Sequence, residues 1–218
     1  MPGFDFPPGV QGPFRPCKPL ILASASPRRQ ALLTQLGLHF QVRPSTLQEP
    51  PPDPGETSLV YVQRMARQKA KNVQAIKKPG VILAADTVVA VDDEILGKPD
   101  CFDQALTMLH RLNGCTHSVH TGCYLFDQQS KDPGLEFAVS TQVTFFQHTQ
   151  DILAAYVRTG EPMGKAGSYA IQGIGAFLVS HIQGSYTNVV GLPLSETVSA
   201  LLKTQAICLE DSQCENHP

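Results

Sequence analysis

The order of apolar and polar runs predicts an α/β domain, mixed α+β in detail, with a twisted mixed sheet and flanking helices. Three observations carry this expectation. Short, wholly apolar runs alternate with amphipathic stretches, and the apolar runs end at small or polar residues that open helices. Residues 117–126 and 137–146 read as two strands joined by a polar loop at residues 127–134, which argues for an antiparallel pair in the same sheet. With 218 residues, 42% of them hydrophobic and 17% charged, the chain buries a real core as one domain or as two closely joined lobes.

The elements follow in order. Residues 1–19, MPGFDFPPGVQGPFRPCKP, form a proline-rich leader without the basic start or apolar core of a signal peptide, and are expected to be disordered. Leu20-Ile21-Leu22-Ala23 reads as a buried strand ending in a small, polar loop. Ser26 is the N-cap and Pro27 the first residue of a helix whose apolar face is Leu32, Leu33 and Leu36, with Gly37 as its stop. Residues 39–43 read as a second strand. The run Glu49-Pro50-Pro51-Pro52-Asp53-Pro54-Gly55 is too rich in proline for helix or central strand and is placed in an exposed loop. Thr57 caps a helix over residues 59–76 that presents Val60, Met65, Ala66 and Val73 near one face and ends at Pro79-Gly80. Residues 81–85 are a buried strand that stops at Asp86-Thr87, resumes over 88–91 and turns around Asp92-Asp93. Helices are expected over 102–112, 151–159 and 194–203, closed in the first two cases by Asn113-Gly114 and Gly160, with Gly-punctuated loop and strand over 167–182. The folded domain is thereby placed at 20–205, with 206–218 as a mostly polar tail.

Composition excludes several classes. A formal net charge of −2 supplies no basic face for a nucleic-acid polymer, so an anionic ligand must meet a local cluster of Lys and Arg. The longest unbroken apolar runs, 81–85 and 152–157, fall far short of the ~20 residues that cross a bilayer, and no membrane partner is expected. The six cysteines include no Cys-x-x-Cys pair, and without a secretory signal a reduced, cytoplasmic setting is expected. Cys115, His117, His120 and Cys123 lie close in sequence, but on a strand His120 faces away from the other three, which disfavours a zinc site.

Three segments are candidates for chemistry. Ser24-Ala25-Ser26-Pro27-Arg28-Arg29 sets two hydroxyls and two guanidiniums at a strand-to-helix junction, where free N–H groups and the helix dipole favour phosphate. The plainer reading is a helix cap with two solvated arginines, yet two cations in a first turn oppose the dipole and so favour an anion site. Asp86, directly after an apolar run, is placed to hold a divalent cation or take a proton from water, or else only to cap a turn. Lys98 comes a short hairpin later and folds back towards the same edge or stays in solvent. The third segment, residues 160–173, sets several glycines around Lys165 and Gln172, whose amide offers both donor and acceptor to a base edge, or else is a set of ordinary turns. Its glycine spacing does not fit a Walker A loop, and Ala166 stands where that loop has a hydroxyl.

Taken in order, residues 24–29, the Glu49 region, residues 64–70, Ala85-Asp86-Thr87, Gly97-Lys98-Pro99, residues 160–173 and residues 184–193 resemble the motifs of Maf-like proteins, over roughly residues 20–203. Within that family the chain is similar to the pyrimidine subgroup acting on dTTP and UTP, also found as the Maf domain of the acetylserotonin methyltransferase-like protein; the methyltransferase half of that larger protein has no counterpart here. The resemblance implies a two-lobed Maf/Ham1-like mixed α/β fold around a central cleft. It implies hydrolysis of dTTP or UTP, with CTP or modified pyrimidine nucleotides as further candidates, to monophosphate and pyrophosphate in a house-cleaning role, with a divalent cation (Mg²⁺, Mn²⁺ or Co²⁺). By the same resemblance Asp86 is the proton acceptor and Arg28, Thr87 and Gln172 are specificity positions. Ser24, Arg29, Glu49, Lys69, Lys98 and Lys165 match polar residues around the phosphates and metal, with Lys98 counted as catalytic and Glu49 and Asp86 as metal ligands. An acidic residue in place of Gln172 marks members preferring 7-methyl-GTP. One position departs: Gly164 stands where the pyrimidine subgroup usually carries Asp. That departure supports the alternative of a catalytically weakened nucleotide-binding or regulatory protein. The sequence leaves the oligomeric state open, a homodimer among the options.

Overall fold

A computed structural model describes residues 12–74, 79–92 and 94–210. Its centre is a seven-stranded mixed sheet in the order β3-β2-β4-β6-β7-β8, with β5 pairing on β4. These strands are β2 (Leu20–Leu22), β3 (Gln41–Val42), β4 (Val81–Val91), β5 (Glu94–Leu96), β6 (Thr116–Asp127), β7 (Leu135–Phe145) and β8 (Val179–Gln183). The pairs β2–β3 and β2–β4 are parallel and the rest antiparallel. The helices are α1 (Pro27–Gln35), α2 (Ser58–Gln74), α3 (Phe102–Leu112), α4 (Gln150–Arg158), α5 (Tyr186–Val190) and α6 (Leu194–Lys203). The α/β class with a mixed sheet and flanking helices is therefore the one the sequence predicts.

Strand β4 organises the molecule. On one edge it pairs with β6 from Val81 to Ala90 without a break. On the other it pairs with β2 only over residues 81–83 and with β5 only over residues 89–91, so residues 84–88 have no strand beside them there. Alternation along β4 sends Leu83, Ala85 and Val89 into the larger core with α3, α4 and α6, and Ile82 and Ala84 into the smaller core under α2. Asp86 has the parity of the α2 face and Thr87 that of the other. Both lie beside the gap.

Helix α2 sits unusually close to the sheet. A methyl group at Gly122, the register partner of Asp86, would come 2.5 Å from the Val62 carbonyl carbon and oxygen. Only the absence of a side chain there lets the helix backbone touch the strand and drop Lys69, two turns after Val62, onto the level of Asp86. The buried face of α2 is Tyr61, Val62, Met65, Ala66, Lys69, Ala70 and Val73. Val60, expected on that face, is instead 51% exposed, because the stripe starts one residue later and follows the 3–4 spacing from Tyr61. The expected end of this helix at Ile76 lies outside the described residues.

Other differences from the sequence reading have identifiable causes. Phe14–Pro16 (β1) pairs antiparallel with Ile207–Leu209 (β9), so the folded unit is wider than 20–205: part of the presumed leader and part of the presumed tail form a two-stranded ribbon. Such pairing, between segments almost two hundred residues apart, leaves no local periodicity to read. The strand expected at 39–43 is reduced to Gln41–Val42, both exposed at the sheet edge. The Gly-punctuated segment is two tight 3₁₀ turns, Ala166–Ser168 and Ile174–Leu178, ahead of β8. Helix α5 was not anticipated. It is five residues long, and Ser185 caps it by accepting from Asn188 N.

On β6, His117 and Cys123 turn into the core while His120 faces the other way and meets Ser140. Burial holds the His117 imidazole neutral, its pKa pushed down to about 4, and its Nε2 bonds the Tyr169 hydroxyl at 2.9 Å. The cysteines at 101, 115, 123 and 208 are free, and Cys214 lies outside the described residues. Among the described residues no helix is long and apolar enough to cross a membrane.

The close contact at Gly122 yields a stability prediction. Gly122→Ala is expected to cost about 2–3 kcal/mol by overpacking, whereas Gly97→Ala, whose added methyl meets nothing within 4 Å, stays within about 0.5 kcal/mol. Urea denaturation of the two variants checks this, and equal midpoints would contradict it.

Candidate functional site

The gap beside residues 84–88 of β4 opens into a cleft of about 420 Å³, within the ordinary range for small-molecule sites. Because the sheet has no strand there, the cleft takes its walls from both faces. Lys69 and Asp86 come from the α2 side; Thr87, Val89, Val119 and Gly191 come from the other. Every candidate residue named from the sequence lines it: Ser24, Arg28, Arg29, Glu49, Lys69, Asp86, Thr87, Lys98, Lys165 and Gln172. Five cationic side chains thus surround two carboxylates, a local positive surplus in a chain of slightly negative net charge.

The two neighbouring arginines have different duties. Arg29 is buried and spends four of its five N–H groups on the protein: Nε on Gly191 O at 2.7 Å, Nη1 on Ala85 O at 2.8 Å and Ser24 Oγ at 3.1 Å, and Nη2 on Thr87 Oγ1 at 2.9 Å. It supplies the bond that a missing strand would have given the Ala85 carbonyl, and it ties β4 to the β2–α1 loop and to the end of α5. Arg28, one residue earlier and half-buried, donates no hydrogen bond to the described residues. Burial lowers its pKa, against the opposing charge of Glu161, and its side chain lines the cleft. The Ser26 hydroxyl does cap α1, accepting from Arg29 N at 3.5 Å. The Thr87 hydroxyl is likewise engaged inside the protein, with Arg29 and with Thr121 Oγ1 at 2.9 Å.

The carboxylates meet at Lys69, whose Nζ lies 2.5 Å from Asp86 Oδ1 and 2.8 Å from Glu49 Oε1. Lys98 Nζ stands 3.5 Å from the same Glu49 oxygen. Burial alone would raise the Glu49 pKa, but the two ammonium groups outweigh it and hold the carboxyl below the usual range. Asp86 Oδ2 is buried and has no hydrogen-bond partner among the described residues. A carboxylate oxygen so placed is costly unless a water or cation meets it. The donor set, two hard carboxylate oxygens beside a cluster of cationic side chains, fits a Mg²⁺-type cation, which binds through one or two carboxylates plus substrate phosphates. Among the described residues no group of three or more His, Cys, Asp or Glu side chains has metal-holding geometry, so no all-protein cage competes with that arrangement.

Two supports of the site were not visible in the sequence. The proline-rich loop that carries Glu49 is latched to α2: Tyr61 Oη donates to Pro50 O at 3.0 Å, Arg64 to Pro51 O and to the Glu56 carboxylate, and Asp53 N to Glu56 Oε2. Tyr61 stays a donor, since burial and the charges of Asp86 and Glu49 push its pKa up to about 12. The loop that carries Gln172 is folded around Glu161, whose carboxylate accepts from Ile174 N, Gly175 N and the Tyr156 hydroxyl, and whose carbonyl accepts from Lys165 Nζ. An acidic residue just after Gly160 is the one local sign that could have marked the second. Nothing local marked the first.

The family model for Maf-like protein matches residues 19–204. A dTTP/UTP pyrophosphatase of Nitratidesulfovibrio vulgaris is 52% identical over 90% of this chain and 92% of its own length. A protein of the same description from Myxococcus xanthus is 48% identical over 84% and 90%. Among solved structures, a nucleoside-triphosphatase/dITP/XTP pyrophosphatase from Mycobacterium abscessus has 14% identity and a TM-score of 0.45, over 85% of this chain and 95% of that one.

The division of labour between the arginines is measurable. Arg29→Ala strands the Ala85 and Gly191 carbonyls and is expected to lower stability by about 3 kcal/mol, whereas Arg28→Ala changes it by less than about 0.5 kcal/mol while weakening nucleotide binding. Urea melts with calorimetric titration of a non-hydrolysable nucleotide separate the two effects; equal destabilisation would refute the assignment.

Proposed function

Because the chain belongs to the Maf-like protein family, we propose that it hydrolyses dTTP and UTP to the monophosphate and pyrophosphate, with CTP and modified pyrimidine triphosphates as further substrates in a cytosolic house-cleaning role. The observation that carries this reading is the convergence of five cationic side chains and two carboxylates on one cleft that also takes in the Gln172 amide. A triphosphate is the small ligand whose charge such a cluster matches, and the amide gives a base edge both a donor and an acceptor.

In this mechanism Arg28, Lys98 and Lys165 neutralise the phosphate oxygens, which is most of what phosphoryl transfer asks of a protein. Asp86 orients a water through Oδ2 and takes its proton as the water oxygen bonds to the α-phosphorus. The bond from that phosphorus to the bridging oxygen breaks, and its electron pair leaves with pyrophosphate. Arg29 keeps Asp86 and Thr87 in register and acts on the reaction through them. Glu49 and Asp86 would hold a divalent cation, which supplies charge neutralisation at the phosphoryl group under attack.

Asp86→Asn removes the proton acceptor and keeps the shape. Pyrophosphate release from dTTP with Mg²⁺ is expected to fall by about 10²–10⁴-fold, the usual worth of a general base; undiminished turnover would sink the assignment. In the same assay a panel of triphosphates is expected to rank dTTP and UTP above 7-methyl-GTP, and the reverse order would refute the reading of Gln172.

Gly164 bears on whether the site is fully active. It lies on the cleft with φ +71°, and an added Cβ meets nothing within 4 Å. Asp tolerates this left-handed conformation better than most residues. Since Asp86 and Glu49 already supply the carboxylates, Gly164→Asp is expected to change kcat/KM by less than about tenfold, or about 1.4 kcal/mol; a larger gain would favour the alternative of a catalytically weakened nucleotide-binding protein.

A further inference from the structure

Among the described residues, Lys69 is the cation that both carboxylates of the site hold at once. Its ammonium is buried, 2.5 Å from Asp86 Oδ1 and 2.8 Å from Glu49 Oε1. Helix α2 is pressed onto the sheet at Gly122, so Lys69 has little freedom to retreat along the helix axis. The unpartnered Asp86 Oδ2 is on the same carboxylate. A divalent cation approaching Oδ2 alone therefore meets an ammonium at close range, with Lys98 already near Glu49. Two carboxylates shared by two ammonium groups have no negative charge left to attract it.

A triphosphate changes that balance. It brings several negative charges and new acceptors for ammonium groups, so Lys69 can exchange carboxylate oxygens for phosphate oxygens while the carboxylates take the cation. No covalent bond is made and no proton moves. We propose that Lys69 is a built-in stand-in for the divalent cation, yielding its place only to a metal–nucleotide pair, so that the protein binds metal tightly only together with its triphosphate. This rests on the reading of Glu49 and Asp86 as cation ligands. It also differs in sign from a merely structural ion pair. If Lys69 only positioned the carboxylates, removing it would loosen them and weaken cation binding; as a stand-in, its removal strengthens cation binding.

The test is Mn²⁺ binding followed by loss of the free-ion electron paramagnetic resonance signal, with and without α,β-methylene-dTTP and with the analogue alone as blank. Wild-type protein is expected to take up Mn²⁺ at least about tenfold more tightly with the analogue than without it, given the strength of close charge–charge repulsion at a partly buried site. Lys69→Met, similar in length and uncharged, is expected to raise affinity for Mn²⁺ without nucleotide by at least about tenfold for the same reason, while pyrophosphate release falls. Equal wild-type affinity with and without the analogue, or a Lys69→Met protein that binds no more tightly, overturns the proposal and leaves the carboxylate reading standing. Wild-type uptake no greater than the analogue blank, unchanged in Asp86→Asn, strikes the carboxylate reading itself and the proposal with it. Should Lys69→Met fail to fold, the wild-type comparison decides alone.

Discussion

The Arg29 guanidinium closes the interruption on one edge of β4, where residues 84–88 have no strand beside them. Strand β4 passes from partnership with β2 to partnership with β5, and between them the Ala85 carbonyl has no ladder neighbour on that edge. Arg29 donates to it, and in the same fork reaches Ser24, Thr87 and Gly191. A cleft cut through a sheet ordinarily exposes unpaired backbone, which costs about 1–3 kcal/mol for each stranded group. Here a side chain replaces the missing strand, and a planar guanidinium suits the task because its donors diverge from a rigid centre.

That gap explains why neighbouring residues of opposite parity serve one site. Asp86 and Thr87 point to different faces of the sheet, and in an unbroken sheet no ligand would meet both. With the strand missing, one cleft gathers Lys69 and Asp86 from beneath α2 and Gly191 and Val119 from the other layer. The same geometry separates the duties of the two arginines in the helix cap. The one whose side chain turns into the gap is consumed by the protein, and its neighbour keeps its donors.

Much of this was legible in the sequence, and what was legible is local. Caps, glycine stops and the 3–4 spacing of apolar residues marked α1, α3, α4 and α6, and the apolar run ending at Asp86-Thr87 marked the strand that bears the carboxylate. The ten candidate side chains came partly from residue type and partly from the resemblance to Maf-like motifs, and all line one cleft. What could not be read is long-range. The pairing of Phe14–Pro16 with Ile207–Leu209, the interruption beside β4 and the contact of Gly122 with Val62 depend on register and packing between distant segments. Residue type alone likewise left Arg28 and Arg29 equivalent, and only the family resemblance gave them different positions, since nothing in two adjacent identical residues says which one will be spent on carbonyls.

Around the cleft, the placement of unmet polar groups points in a consistent direction. Buried Arg29 is nearly saturated, and Glu161 and Glu56 are bonded into the loops that carry Gln172 and Glu49. By contrast Asp86 Oδ2 lacks a partner, and Arg28 and the half-exposed Lys98 keep most of their donors free. Saturation thus falls on the groups that hold the walls, and unmet capacity on the groups that face the cleft. The unmet groups are of both signs: cations for phosphate, and one carboxylate oxygen for a water or metal. A protein that only bound an anion would gain nothing from that buried oxygen, because it repels the ligand the cations attract. That oxygen opposite a cationic cluster suits a site that takes a water or a metal beside its anion, as a hydrolase does.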